Sequence, residues 1–187
     1  MDTAVLATHN RSHRVAYAQH EHAELLRRAA ELARLDGVVI PGGESSTIDR
    51  LMRIFSLDDA LRTALHHGTP VLGTCAGLIT LATEIVDPAP GQRSLGIIPM
   101  RVRRNAFGRQ VDSAVETIDS AYGQVTAAYI RAPEVVAVGE GVKVIATKGE
   151  RIVGVETDSA LAVSFHPELT GDTTIHARFL DKVASSA

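Results

Sequence analysis

The 187 residues carry a formal net charge of −3, with 45% hydrophobic and 22% charged residues, the balance expected of one globular domain spanning residues 1–187 with a real core. This charge presents no basic field to nucleic acid, and a 4% aromatic content without Trp leaves no stacking platform for bases. No apolar run reaches the roughly 20 residues that span a bilayer, and the opening MDTAVLATHNRSHR has no apolar core of signal-peptide length. The expectation is a cytoplasmic protein that engages neither membrane nor nucleic acid.

The first half alternates short apolar runs with amphipathic segments. Ala4–Ala7 reads as a buried strand, and Ala23–Leu26 is the candidate for a second. Between them the chain holds His9, His13, His20 and His22, with Glu21 between the last two. That stretch is open to two readings, a metal site or a polar helix face, and the absence of cysteine or a regular carboxylate pattern favours the helix face. Gly37–Ile40 (GVVI) is a buried strand ending at Pro41-Gly42-Gly43. Ser45 and Ser46 are N-cap candidates for a helix to about Phe55, and Leu57–His67 predicts the next helix, stopped by Gly68 and Pro70. Val71–Thr74 is a third buried strand, and Ala76–Ile85 is apolar and of helical length. Strands alternating with helices predict a parallel sheet with crossover helices.

After the loop Asp87-Pro88-Ala89-Pro90-Gly91 the character changes to β-like runs. They are Arg101–Arg104, Ser113–Ile118, Val125–Ile130, Val135–Val138, Val142–Thr147, Arg151–Glu156 and Leu161–Ser164, separated by turn signals such as Gly139-Glu140-Gly141. A helical pattern over about Thr173–Val183 closes the chain. No linker, repeat or low-complexity stretch divides it.

The single cysteine excludes an internal disulfide and a cysteine-based metal cluster. Cys75 is either a buried small hydrophobe or a nucleophile. Its setting, Gly73-Thr74-Cys75-Ala76-Gly77, is a Gly-x-Cys-x-Gly turn between a buried strand and a helix start, the nucleophile-elbow pattern with Cys in place of Ser. A helix N-terminus there favours the thiolate, and the Ala76 N–H is placed to help hold an oxyanion. Ser164-Phe165-His166-Pro167-Glu168 follows the last apolar run. His166 is the candidate base for Cys75, and Glu168 the acceptor that orients its ring. In Pro41-Gly42-Gly43-Glu44-Ser45-Ser46 two glycines let backbone N–H groups turn toward a ligand. With no Walker lysine and no G-x-G-x-x-G, an oxyanion hole at Gly43 fits better than a phosphate loop.

Taken in order, PGGESS, GTCAGL and SFHPEL resemble the class I, or triad, glutamine amidotransferases. More narrowly, Arg103–Ser113 (RRNAFGRQVDS), Tyr129–Pro133 (YIRAP) and His166–Thr170 (HPELT) are similar to the glutaminase subunits of pyridoxal 5′-phosphate synthase, from about Arg27 to the C-terminus. The resemblance implies a single-domain, flavodoxin-like three-layer α/β sandwich, with a mostly parallel central sheet and added antiparallel strands in the second half. It implies hydrolysis of L-glutamine to glutamate and ammonia without a cofactor or metal. Cys75, His166 and Glu168 fall on the family's triad. Gly43, Glu44, Ser45, Arg104, Ile130 and Arg131 fall on its glutamine-binding positions, where a guanidinium suits the α-carboxylate. The implied partner is a barrel-shaped synthase subunit that combines the ammonia with ribose 5-phosphate and glyceraldehyde 3-phosphate, in a complex of twelve of each subunit.

The chain departs from that family after its first strand. Where the family has Leu-Gln-Gly, in this chain Val5-Leu6-Ala7 is followed by Thr8-His9-Asn10-Arg11, and the stretch to Asp36 is shorter. A competing expectation follows, a catalytically impaired assembly subunit of the same complex. Two further alternatives keep a similar fold: a glutaminase feeding histidine biosynthesis, which the RNAFGRQVDS run argues against, and a stand-alone cysteine hydrolase or stress protein, which His166-Pro167-Glu168 argues against.

Overall fold

The computed structural model describes residues 2–6, 22–26, 28–107 and 114–186. Its strands are β1 (Asp2–Leu6), β2 (His22–Leu26), β3 (Gly37–Ile40), β4 (Val71–Thr74), β5 (Ala82–Ile85), β6 (Ile98–Arg103), β7 (Ala114–Ser120), β8 (Gly123–Tyr129), β9 (Glu134–Val138), β10 (Lys143–Lys148), β11 (Arg151–Glu156) and β12 (Ala160–Val163). The helices are α1 (Ser45–Ile54), α2 (Asp58–His66), α3 (Ala76–Leu81) and α4 (Thr174–Ser186), with 3₁₀ turns at Ala29–Arg34 and Pro167–Leu169.

The strands form one mixed sheet in the order β2-β1-β3-β4-β12-β11-β10-β7-β8. From β2 to β12 the neighbours are parallel, and from β12 to β8 they are antiparallel. A branch of β5, β6 and β9 joins it where Val135 pairs with Ile152 of β11. β3, β4 and β12 are buried on both faces, and the period-two alternation of their side chains divides the core. Val38, Ile40, Val71, Ala160 and Ala162 face Ile48, Met52, Leu61, Leu65 and Leu78 of α1–α3. Val39, Leu72, Leu161 and Val163 face Phe165 and α4, through Ile175, Phe179 and Val183. This is the expected α/β sandwich, helices on either side of a sheet whose second half turns antiparallel.

A buried charge cluster fastens α4 to the end of β11. Glu156 accepts from Arg178 Nε at 2.9 Å and pairs with Lys182 Nζ at 2.7 Å, and the Tyr122 hydroxyl bonds the same carboxylate. Burial alone would raise the Glu156 pKa, but the hydrogen bonds from Lys182, Tyr122 and Arg178 outweigh it and hold the carboxyl below its ordinary value.

The sequence reading is corrected in three places. The apolar run Ala76–Ile85 is not one helix: α3 ends at Leu81, and Ala82–Ile85 is the strand β5, parallel to β6. A short apolar run has no periodicity that separates the two states, and here Thr83 decides. Its hydroxyl donates to the Met100 carbonyl at 3.0 Å and accepts the Met100 N–H at 3.1 Å. The strand expected at Arg101–Arg104 begins earlier, at Ile98, and ends at Arg103. The N-cap of α1 is Glu44 rather than Ser45 or Ser46, its carboxylate accepting the Thr47 N–H at 2.8 Å. Of the stretch that departs from the resembled family, residues 7–21 and 27 lie outside the described residues, His9, His13 and His20 among them; His22 opens β2, which pairs in parallel with β1.

The tightest crossing in the fold is at Gly77. A Cβ there would fall inside the van der Waals envelope of the Ile40 carbonyl, so α3 lies directly against the backbone at the end of β3. Gly77→Ala should destabilise the chain by about 1–3 kcal/mol through overpacking, read as a lowered midpoint in urea; an unchanged midpoint would show that the helix shifts freely.

Candidate active site

Every loop that contributes to the site leaves the carboxyl end of a strand, where ligands of open α/β sheets bind. β4 and β12 are parallel neighbours with Thr74 opposite Val163. Cys75 is one residue past β4, and His166 three residues past β12, so the register alone brings the two side chains to the same edge. The Cys75 N–H donates to the Val163 carbonyl at 2.8 Å and ties the two strand ends together. Cys75 sits at φ 49° and ψ −103°, a strained backbone for a residue with a side chain. It forms the sharp strand-to-helix turn that its bracketing glycines suggested.

His166 is fixed from both sides. Its backbone N–H donates to Ala128 of β8 at 2.9 Å, and the following 3₁₀ turn is pinned where Thr170 Oγ1 donates to the Thr126 carbonyl at 2.9 Å. The ring Nδ1 is hydrogen-bonded to Glu168 Oε1 at 2.8 Å, and the Glu168 side chain is fully buried. The same imidazole is close enough to the Cys75 sulfur for the two to act on each other's charge. Burial works to lower the His166 pKa. The acceptors Cys75 and Glu168, which favour the protonated ring, overcome it and push the value up to about 10. The site thus favours an imidazolium between a sulfur and a carboxylate. Gly42 makes room for that ring: a Cβ at residue 42 would overlap His166 Cε1. The sequence reading gave Gly42 only backbone freedom; its closer duty is to leave the imidazole space.

Beside the triad lies a cavity of about 170 Å3 lined by Gly43, Glu44, Ser45, Cys75, Ala76, Arg104, Ile130 and Arg131, together with Ile79 and Asn105. It is smaller than the roughly 300–1,000 Å3 of pockets for drug-sized ligands. All eight of the non-triad and nucleophile positions singled out in the sequence line it, while His166 and Glu168 stand behind Cys75. Ile79 and Asn105 were not anticipated: Ile79 is one turn into α3, and Asn105 follows Arg104 at a positive φ of 48°. Arg131 likewise sits at φ 46°, and Gly43 at 146°.

Polarity is concentrated on Arg104. Its Nη2 pairs with Glu44 Oε1 at 3.1 Å and its Nη1 donates to Gln92 Oε1 at 2.7 Å. Burial raises the Glu44 pKa, but hydrogen bonds from Ser46 and Thr47 exceed it, so Glu44 is held ionised below its ordinary value. Gln92 and its loop were missed in the sequence, where the segment reads as a plain turn.

A thiol at an elbow, its imidazole and carboxylate in series, and a small cavity holding an arginine are the parts of a thiol amide hydrolase for an amino-acid substrate. The SNO glutamine amidotransferase family matches residues 4–185. The chain belongs to that family. Among relatives similar to this SNO-family chain, the pyridoxal 5′-phosphate synthase subunit PdxT of Streptomyces griseus is 50% identical over 177 residues, covering 92% of this chain and 90% of the relative. The protein of the same name from Parafrankia is 52% identical over 164 residues, covering 86% and 80%. A crystal structure of a glutamine amidotransferase superposes with a TM-score of 0.91 at 40% identity, over 97% of this chain and 98% of that one.

The raised His166 pKa sets a pH signature. A folded-state value above the ordinary 6.5 means that the native chain binds this proton more tightly. The imidazolium therefore stabilises the fold in full below about pH 6.5, and that contribution is lost as pH rises toward 10. In 15N NMR, His166 should remain charged at pH 8, and Cys75→Ala should lower its midpoint by about one unit or more. An unchanged midpoint in Cys75→Ala would remove the thiol as a cause.

Proposed function

We propose that this chain, as one amidotransferase domain over residues 1–187, hydrolyses L-glutamine to L-glutamate and ammonia through Cys75, His166 and Glu168. The observation that carries the reading is the His166–Glu168 hydrogen bond at the strand edge where Cys75 emerges, beside a cavity that Cys75 and Arg104 both line. The Cys75 thiolate attacks the carboxamide carbon, and the resulting oxyanion is held by the N–H groups of Gly43 and Ala76. The tetrahedral intermediate collapses as the C–N bond breaks, with His166 giving its proton to the departing ammonia. Water then attacks the γ-glutamyl thioester as His166 takes its proton, and the C–S bond breaks to release glutamate and restore the Cys75 thiolate. Glu168 keeps the ring oriented and supports its charge through both halves. Arg104, with Arg131, receives the α-carboxylate; Glu44 and Ser45 offer polar contacts to the same end; Ile130 covers the apolar stem.

The ammonia passes to the synthase subunit that builds pyridoxal 5′-phosphate from ribose 5-phosphate and glyceraldehyde 3-phosphate. The names of the Streptomyces and Parafrankia relatives support this partner, and a closed assembly of twelve of each subunit, working in the cytoplasm, completes the reading. The test is ammonia release from glutamine, measured against synthase concentration. The expected result is a low basal rate that rises as the synthase is added. No ammonia at any synthase concentration, in a chain that still assembles, would instead establish an impaired assembly subunit.

Variants test the roles. Cys75→Ser and His166→Ala should each lower kcat on the order of 10³-fold, with a smaller loss in Glu168→Gln; changes confined to KM would make these binding groups. Arg104→Ala should raise KM by the equivalent of about 1.5–3 kcal/mol, the range of a charge-assisted contact, and an unchanged KM would reject the carboxylate role.

A further inference from the structure

Between β5 and β6 the chain makes a strap that touches both walls of the cavity. At one end, Asp87 Oδ1 accepts the Arg104 N–H at 2.9 Å. At the other, the Arg93 N–H donates to Asp49 Oδ2 at 3.1 Å, and Asp49 is buried in α1 and paired with Arg53. Gln92 lies between and uses both ends of its amide. Oε1 accepts the Ala89 N–H at 3.0 Å and Arg104 Nη1 at 2.7 Å, while Nε2 donates to Ser45 Oγ at 2.9 Å. Each amide atom faces groups of the opposite polarity, so the reversed orientation would place Nε2 against two donors.

Gln92 thus joins a residue at the start of α1 to one just past β6, standing behind the cavity that both line. We infer that Gln92 is a positioning residue for substrate recognition, which sets the Arg104 guanidinium and the Ser45 hydroxyl against the α-carboxylate of glutamine. The inference rests on the glutaminase function proposed above.

The chemistry of the two Arg104 partners separates their duties. Glu44 is an anion whose side chain is 46% exposed, and a substrate carboxylate would compete with it for the guanidinium. Gln92 is neutral. Its oxygen fixes the direction of one N–H and leaves the positive charge, and the remaining donors, available to the ligand. Ser45 is directed in the same way: because its oxygen accepts from Gln92, its proton is turned toward an acceptor in the cavity. A carboxylate at residue 92 would keep the shape and both acceptor contacts. It would also neutralise Arg104, repel the incoming carboxylate and lose the donor to Ser45.

The experiment is steady-state glutaminase kinetics of the full chain with its synthase subunit, comparing wild type, Gln92→Ala and Gln92→Glu, with thermal unfolding of each. Gln92→Ala should raise KM for glutamine about tenfold and change kcat less than about twofold, as expected for lost orientation of one charge-assisted contact. Gln92→Glu should raise KM further still. A brace that merely held the strap would give the reverse order, with the isosteric Gln92→Glu near wild type and Gln92→Ala impaired in both stability and kcat. That order, or a KM unchanged in either variant, overturns the inference while leaving the glutaminase function intact. A wild-type complex that releases no ammonia overturns both.

Discussion

The imidazole of His166 rests in space that any side chain at residue 42 would fill, and the chemistry of the site depends on that contact. The ring must reach the Cys75 sulfur while its other nitrogen stays on Glu168, and both partners are fixed by the ends of parallel strands. An imidazole with two committed sides has no freedom to step aside for a bulkier neighbour. The loop after β3 must therefore pass the ring as bare backbone. The same economy of space holds at Gly77, where α3 lies on the end of β3. Close backbone approach at these two points brings the loop after β3, Cys75 and His166 to one edge of one sheet.

Electrostatics then assigns each charged group a distinct duty. His166 is charged because a sulfur and a carboxylate flank it, against the pull of burial. Glu168, buried and bonded to the ring, contributes its charge to that imidazolium rather than to the ligand. Across the cavity, Arg104 meets one anionic and one neutral acceptor. Positive charge thus stands at two separate points, at Arg104 and at His166, each beside a carboxylate. Glu44 holds a helix N-terminus with one oxygen and Arg104 with the other, which couples the shape of the cavity to its charge.

What was legible in the sequence was local. The turn around Cys75 spans five residues whose small size and order carry the elbow, and His166-Pro167-Glu168 carries its hydrogen bond within three residues. The buried strands of the parallel half read clearly because four-residue apolar runs between turn signals have few alternatives. The split of Ala76–Ile85 was hidden, because the hydroxyl of Thr83 chooses its state through a partner in β6. Gln92 was hidden for a stronger reason: it bonds a serine 47 positions before it and an arginine 12 after it, and a polar residue beside prolines and glycine looks like any surface turn. The N-cap of α1 was misassigned for a related cause. Ser45 has the side chain of a cap, but its hydroxyl is committed to Gln92, and the carboxylate one residue earlier does the capping.

Arg104 is carried just past β6, in the three-strand branch, and the triad is carried by the main sheet. The branch meets the main sheet's backbone ladder at Val135 and Ile152, and is further held by side-chain packing of Ile98, Met100, Val102 and Val135 against the helices' core and by ion pairs from Arg151 to Glu134 and from Arg104 to Glu44. The cavity wall at Arg104 and Asn105 is therefore carried by the branch, and the wall at Gly43, Glu44, Ser45, Cys75, Ile130 and Arg131 by the main sheet, two units of unequal backbone anchorage. With so sparse a backbone pairing, the expectation is that the branch wall opens by sub-global fluctuation at a lower free energy than the wall beside β4 and β12. Amide hydrogen exchange in β5, β6 and β9 should outpace that in β4 and β12. A ligand that bridges the two walls then closes the gap between them, so the chain gains cooperativity at the moment it holds its substrate.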